Sequence, residues 1–336
     1  MGRPGKKLAA WTIGTMGVAA TAALGALALT RRRGRARAER LWREHRPAPV
    51  TDLGATSFLS ILPLVDAIAA DEELRTEAGV SYLVETDGSR ILFDVGFNRL
   101  REDPSPLLAN MARLGLTTES FDTIVISHNH LDHVGGAEWG RRGTFSLGNE
   151  QLPLPADTRV ITPVPMTYPD LEPVHAPEPM VLAPGVATTG TIPRQLFMGW
   201  VEEQALVVNV EGHGLVLIVG CGHQTLPKLL ERVEQAFEPP VWGVVGGLHY
   251  PVPHGRVRMR GIDAQRLMAS GSGPWHPITR EEVLEELETL AARRPSLVAL
   301  SSHDSSDEAI SWVDEMFAAA ARRLRVGERI EVGTRH

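Results

Sequence analysis

Ser127-His128-Asn129-His130-Leu131-Asp132-His133-Val134-Gly135-Gly136 places three imidazoles and a carboxylate within six positions and then turns on two glycines. The residues before it, Asp122-Thr123-Ile124-Val125-Ile126, form a short β-branched run of the kind that makes a buried strand, so the histidines leave a strand at its carboxyl end. Side chains of an extended chain repeat every second residue, so His128 and His130 project the same way and both can reach one cation. Asp132 and His133 lie further on and can reach a second. Neutral imidazole suits zinc, iron and manganese, and a carboxylate supplies the charge that keeps two cations close. With twelve histidines in 336 residues, a chance polar loop of this composition directly after an apolar strand is the weaker reading.

A chain with 43% hydrophobic residues, 32 Gly and 24 Pro reads as globular and loop-rich, and one α/β domain with a terminal appendage fits its length as well as two domains do. Cys221 is the single cysteine, so no intrachain disulfide forms, and a lone thiol near histidines is a candidate ligand or nucleophile. The net charge of -7 is uneven: residues 1 to 46 carry eleven Lys or Arg against Glu39 and Glu44, a net of +9, which leaves -16 for the remainder. An acidic body argues against nucleic acid as a partner, whereas a small-molecule substrate, including a small polyanion held by metals, suits it.

The basic excess surrounds Leu8 to Thr30, 23 residues without a charge. As a helix rising about 1.5 Å per residue this stretch would cross a bilayer core of about 30 Å. The heavier basic flank follows it, which predicts a membrane anchor over 8–30 with the globular body facing the cytoplasm. Two rivals are a signal peptide cleaved near Ala26-Leu27-Ala28, which would export the body, and an apolar core helix. The predicted division is a basic flank (1–7), an anchor (8–30), a basic juxtamembrane linker (31–49) and a catalytic domain (50–336).

Beyond the linker, strands alternate with helices. Gly79 to Thr86 and Arg90 to Asp94 flank Asp87-Gly88, a hairpin signal, and Asp94 at the end of the second strand is a candidate for orienting a metal-binding histidine. Ser105-Pro106 opens a helix through Leu114. From Gly140 to Trp200 the pattern is proline-rich and predicts loops that wall the site. Ala205 to Val210 and Gly214 to Val219 form another hairpin, whose second strand delivers Gly220-Cys221-Gly222-His223; Thr225 to Phe237 follows as an amphipathic helix. Val241 to Val245 leads to Gly246-Gly247-Leu248-His249, and Leu297 to Leu300 leads to Ser301-Ser302-His303-Asp304. Loops at carboxyl ends of strands converge, so four such ends carrying histidine point to one shared site. His223 and His303 are the stronger ligand candidates; His249 is a ligand or a substrate contact. Thr279 to Glu282 is a capping box, Ser305 with Glu308 predicts a second one opening a helix to about Arg323, and residues 250–277 read as irregular, with His254 and His276 exposed. His175 and His213 read as surface residues.

These motifs resemble the metallo-β-lactamase superfamily. Gly79-Val80-Ser81-Tyr82-Leu83-Val84-Glu85, Glu203-Gln204-Ala205-Leu206, Gly220-Cys221-Gly222-His223 and Gly246-Gly247-Leu248-His249 look more narrowly like its dihydropteridine-ribofuranosyl-aminobenzene phosphate synthase-like branch. The resemblance spans roughly Val50 to Val332 and implies a four-layer αββα sandwich with a dinuclear site at one edge of the two sheets. It puts His128, His130 and His223 on one metal and Asp132, His133 and His303 on the other. Departures exist: between Gly136 and Gly212 the only His is His175, which reads as a surface residue and not as the superfamily's separate third ligand, and Cys221 falls where the superfamily has a bridging Asp, so either Cys221 or His223 could take that position. Gly222 replaces the branch's usual Ser, and Asp304-Ser305-Ser306 replaces its Cys-Thr-Gly.

A pair of divalent ions, with zinc expected and iron or manganese as alternatives, would lower the pKa of a shared water and stabilise an oxyanion. Hydrolysis of an ester, lactone, amide or phosphoester follows, with Asp132 orienting the nucleophile and His249 donating a proton to the leaving group. The alternatives are a pterin-type carbon–nitrogen bond-forming synthase and a non-catalytic metal-binding membrane protein. A redox diiron protein would need an electron partner, and no flavin-binding pattern is visible.

Overall fold

In the computed structural model of the protein, two mixed β-sheets lie face to face and helices cover their outer faces. The structure describes residues 5–197, 199–259, 261–263, 265–266, 269 and 277–335, with backbone alone for 5–24, 258–259 and 262. The first sheet contains β1 (Phe58–Val65), β2 (Ser81–Thr86), β3 (Arg90–Phe93), β4 (Thr123–Val125), β5 (Arg159–Thr162) and β6 (Val174–His175), with β17 (Ile330–Gly333) beside β1. The second runs β16 (Leu297–Leu300), β13 (Val241–Gly246), β12 (Gly214–Val219), β11 (Leu206–Val210), β8 (Val186–Thr189) and β7 (Pro179–Ala183). Two small ladders, β9 (Ile192–Gln195) with β10 (Trp200–Glu203) and β14 (Arg258–Met259) with β15 (Ile262–Asp263), stand apart.

Period-two alternation separates the layers. On β12, Val216 and Ile218 join Leu206 and Val208 of β11 and Ile91 and Phe93 of β3 between the sheets. Leu215, Leu217 and Val219 face the other way, onto α4 (Leu226–Ala236), α5 (Arg280–Ala291) and α6 (Asp307–Phe317). Leu92 of β3 faces outward against Leu107 and Met111 of α2 (Pro106–Arg113) and Trp139 of the short α3 (Ala137–Arg142). Three apolar layers between four structural layers give the expected αββα sandwich. Strands β3, β4 and β5 of the first sheet, and β12, β13 and β16 of the second, run parallel, which brings their carboxyl ends to a common edge. β1 joins them there, because it is antiparallel to β2 and β2 is antiparallel to β3.

The Asp87-Gly88 hairpin, the Thr279 capping box and the helix behind Ser105 form as expected. Other expectations need correction. The membrane-spanning helix over 8–30 is not borne out: α1 (Gly5–Glu44) continues unbroken through the arginines, and among the described residues no helix is long and apolar enough to cross a membrane. The side chains of residues 8–24 lie outside the described residues. Two arginines of the stretch read as a juxtamembrane linker pack on aromatic rings of the protein itself. Arg31 donates Nε to the Phe197 carbonyl at 2.5 Å and stacks on its ring at 4.3 Å, and Arg37 lies 4.8 Å over the Trp200 ring. Trp42 takes Lys228 and Arg232 on its ring at 5.5 and 5.4 Å. The second capping residue is Ser306, not Ser305; its hydroxyl accepts from the Ala309 amide, and the helix stops at Phe317, followed by a 3-10 turn over Ala318–Ala320. The proline-rich stretch from 140 to 200 supplies strands β5 to β9, among them the edge strands β6 and β7, where a missing amide is tolerated. His254 is exposed, and His276 lies outside the described residues.

Ile218 is fully buried between the sheets. Ile218→Ala is expected to cost about 2–5 kcal/mol by leaving a cavity there, read as a lower midpoint of urea unfolding with an unchanged slope.

Candidate metal centre

Eight side chains converge where the strand ends meet. Their ligating atoms form three overlapping groups, each within 4.8 Å: His128, His130 and His223; Asp132, His133, Cys221 and His303; and Cys221, His223 and His249. All the ligands expected from the sequence are thus brought together. His175 and His213 stay outside, bonded to the Pro163 and Glu211 carbonyls.

Each ring is held from behind. Asp94, at φ 59 just beyond β3, accepts from the Ser127 amide at 2.7 Å and the Ser127 hydroxyl at 2.6 Å, and meets His133 Nδ1 at 2.6 Å. Because Ser127 gives its proton to Asp94, its oxygen accepts from His128 Nδ1, 3.0 Å away. His128 Nε2 is left buried, with its lone pair inward and no hydrogen-bond partner. His133 Nε2 and His303 Nε2 approach Cys221 Sγ at 3.1 and 3.2 Å, and His130 Nδ1 approaches His223 Nε2 at 3.1 Å. His249 Nε2 faces the Gln265 carbonyl at 3.1 Å, so its proton sits there and its buried Nδ1 offers a lone pair without a hydrogen-bond partner. That tautomer accepts a proton or binds a cation, which differs from the proton-donor role expected from the sequence.

Burial, reinforced by neighbouring imidazoles, pushes the pKa values of His128, His223 and His303 well below the usual histidine value; burial also lowers His130, and takes His249 down to about 4. His133 is the exception: burial opposes its charge, but Asp94 and Asp132 outweigh it and hold the ring up to about 9. Burial, with nearby carboxylates, pushes the Cys221 thiol well above its ordinary range.

Glu203, at the end of β10, is a functional residue that sequence reasoning quoted without giving it a role. Its carboxylate accepts the consecutive amides of Cys221, Gly222 and His223 at 2.9, 2.8 and 2.7 Å and so fixes the ligand loop. Gln204 beside it ties the two sheets together, donating its backbone amide to Ser127 O at 2.9 Å and its side-chain amide to Ile126 O at 2.8 Å. Gly220 permits the approach, since a Cβ there would stand 2.2 Å from Ser127 Oγ. Asp66, just past β1, was also missed, although it ends an apolar strand as Asp94 does.

Stacked mixed sheets with a histidine-lined edge define the metallo-β-lactamase fold. The family model described as Metallo-beta-lactamase superfamily matches residues 74–145, which include the whole of the first motif. A crystal structure described as a metal-dependent hydrolase of the beta-lactamase superfamily aligns with a TM-score of 0.55 at 18% identity, over 82% of this chain and all of that one. Among curated relatives, a Methanocaldococcus jannaschii protein named 7,8-dihydropterin-6-methyl-4-(beta-D-ribofuranosyl)-aminobenzene-5'-phosphate synthase is 24% identical, over 59% of this chain and 80% of its own length. An uncharacterized protein of the same organism is 27% identical, over 51% of this chain and 72% of its own. The chain thus resembles the metallo-β-lactamase superfamily and, within it, a relative named as a dihydropterin-ribofuranosyl-aminobenzene phosphate synthase.

Burial, only partly offset by the three amides, holds Glu203 up to about 7. A folded-state pKa above the unfolded value means that its contribution to stability is full below about 4.5 and is lost as pH rises through about 7. Chelator-treated protein should therefore lose stability relative to Glu203→Gln across that window, on the order of 2–3 kcal/mol, as measured by urea unfolding at each pH.

Proposed function

We propose that the protein is a hydrolase that uses two divalent metal ions, zinc foremost, on an ester, lactone, amide or phosphoester. The observation that carries this reading is a set of buried ring nitrogens without hydrogen-bond partners, His128 Nε2, His223 Nδ1 and His249 Nδ1, on rings whose ligating atoms cluster within 4.8 Å. Such nitrogens cost stability unless a cation takes their lone pairs. Spacing supports the same reading: two nitrogens about 2.0–2.1 Å from a tetrahedral zinc stand about 3.3 Å apart. His130 Nδ1 and His223 Nε2 are 3.1 Å apart.

On this reading His128, His130 and His223 hold one ion, and Asp132, His133 and His303 hold the other, with Cys221 between the sets. Two such ions supply Lewis acidity and an activated water at neutral pH. The chain's own residues prepare the rest. Low pKa values keep His128, His223 and His303 neutral, so their lone pairs need not first shed protons. Asp94 fixes the orientation of His133 and, through Ser127, that of His128. Asp132, with its side chain 24% exposed, is a ligand candidate open to a reactant and orients the attacking nucleophile. His249, a lone-pair donor in its observed tautomer, serves as a further ligand or accepts a proton.

A second reading, carbon–nitrogen bond formation on a pterin-type substrate, is favoured by the name of the archaeal synthase relative. Both readings need the same ligands and differ in whether water or an amine nitrogen attacks.

Metal analysis of the purified protein is expected to give two ions per chain. A panel of ester, lactone and phosphodiester substrates should then show turnover that Asp132→Ala lowers by at least about 100-fold. Fewer than one ion per chain, or turnover unaffected by Asp132→Ala, would remove the reading. Metal loading at neutral pH should also release protons, because His133 and the Cys221 thiol are protonated beforehand; Cys221→Ser should reduce the release seen by calorimetry in buffers of different ionisation enthalpy.

A further inference from the structure

Asp66 lies just beyond β1 and is fully buried, 235 positions from the residues it serves. Its Oδ1 accepts the Ala67 amide at 2.7 Å, the Ser302 amide at 3.1 Å and the Ser302 hydroxyl at 2.6 Å. Its Oδ2 accepts the Ser301 hydroxyl at 2.6 Å and the Tyr82 hydroxyl at 3.3 Å. Ser301 has one proton, and that proton goes to Asp66. The Ser301 oxygen is therefore an acceptor toward His303 Nδ1, 2.6 Å away. His303 must then carry its own proton on Nδ1, which leaves the Nε2 lone pair facing Cys221 Sγ at 3.2 Å. The same chemistry recurs at Asp94, Ser127 and His128, where the carboxylate, the serine and the ring all sit on the first sheet. Asp66 does it across the sheets, since Ser301 and His303 follow β16 of the second.

We infer that Asp66 is a positioning residue of the metal site: through Ser301 it fixes the tautomer of His303 and presents Nε2 as a ligand. This deepens the two-metal reading above and rests on it. Substitution by asparagine reverses the relay for a geometric reason. Two backbone amides, from Ala67 and Ser302, point at Oδ1 and demand an oxygen there. The amide nitrogen of an asparagine must then face Ser301 and donate to it. The Ser301 proton turns toward His303 Nδ1, and the ring proton moves to Nε2, the position that would bind metal.

Two measurements test the inference. In metal-free protein, nitrogen NMR of the His303 ring is expected to report the Nδ1-protonated tautomer for the native chain and the Nε2-protonated one for Asp66→Asn. Competition with a chelator is expected to show the weaker of two zinc affinities reduced about 10- to 100-fold by Asp66→Asn and by Ser301→Ala, but retained in Ser301→Thr, which keeps the hydroxyl. The affinity of the tighter zinc, expected to stay the same in all variants, reports that they are folded. Because Asp66 acts through Ser301, adding Asp66→Asn to Ser301→Ala should cost little more than Ser301→Ala alone. A His303 tautomer unchanged in Asp66→Asn, or zinc effects of the two substitutions that simply add, would overturn the relay. A native chain that binds fewer than two zincs would instead overturn the two-metal reading, and the tautomer measurement on metal-free protein would still decide the relay.

Discussion

A buried imidazole has two nitrogens and, when neutral, one proton, so something behind the ring must decide which nitrogen faces forward. That constraint organises the site. Asp94 with Ser127, Asp66 with Ser301, and the Gln265 carbonyl each take one nitrogen of a ring and leave the other inward. The carboxylates and serines stand at strand ends because parallel strands in each of the two sheets bring those ends together. The sandwich is in this sense a device for pairing each ligand with its partner, and its apolar layers hold the distances.

How much of this can be read from the sequence depends on how far apart the interacting residues lie. His128, His130, Asp132 and His133 sit in one short stretch after one strand, and alternation along that strand is a local property, so they stand out. His223, His249 and His303 are legible because each repeats the pattern of apolar strand, small residue and histidine. Asp66 is not, because its partners are 235 and 236 positions away and nothing local announces them. Glu203 fails for a similar reason: an acid at the end of a short strand is unremarkable until the amides of a loop 18 to 20 positions later point at it.

The amino-terminal helix shows the opposite error. As sequence, residues 8–30 have the length of a bilayer span and the arginines after them satisfy a charge rule, yet neither can see what those arginines touch. Helix α1 continues through them and lays Arg31, Arg37 and Trp42 against the β9–β10 hairpin and α4. The charge rule presumes that the cations are free to meet lipid, and here two of their rings are supplied by Phe197 and Trp200 of the same chain.

Gly220 gives the sandwich a fixed gauge. With no side chain there, Ser127 of the opposite sheet comes so near that a single added carbon would stand 2.2 Å from its hydroxyl oxygen and 3.2 Å from Asp94 Oδ2. The separation between the ligands of the first sheet and those of the second is therefore set by direct contact of backbone against side chain. A methyl group at this one position would alter no ligand, yet it would wedge apart the two halves of the cage that the ligands form.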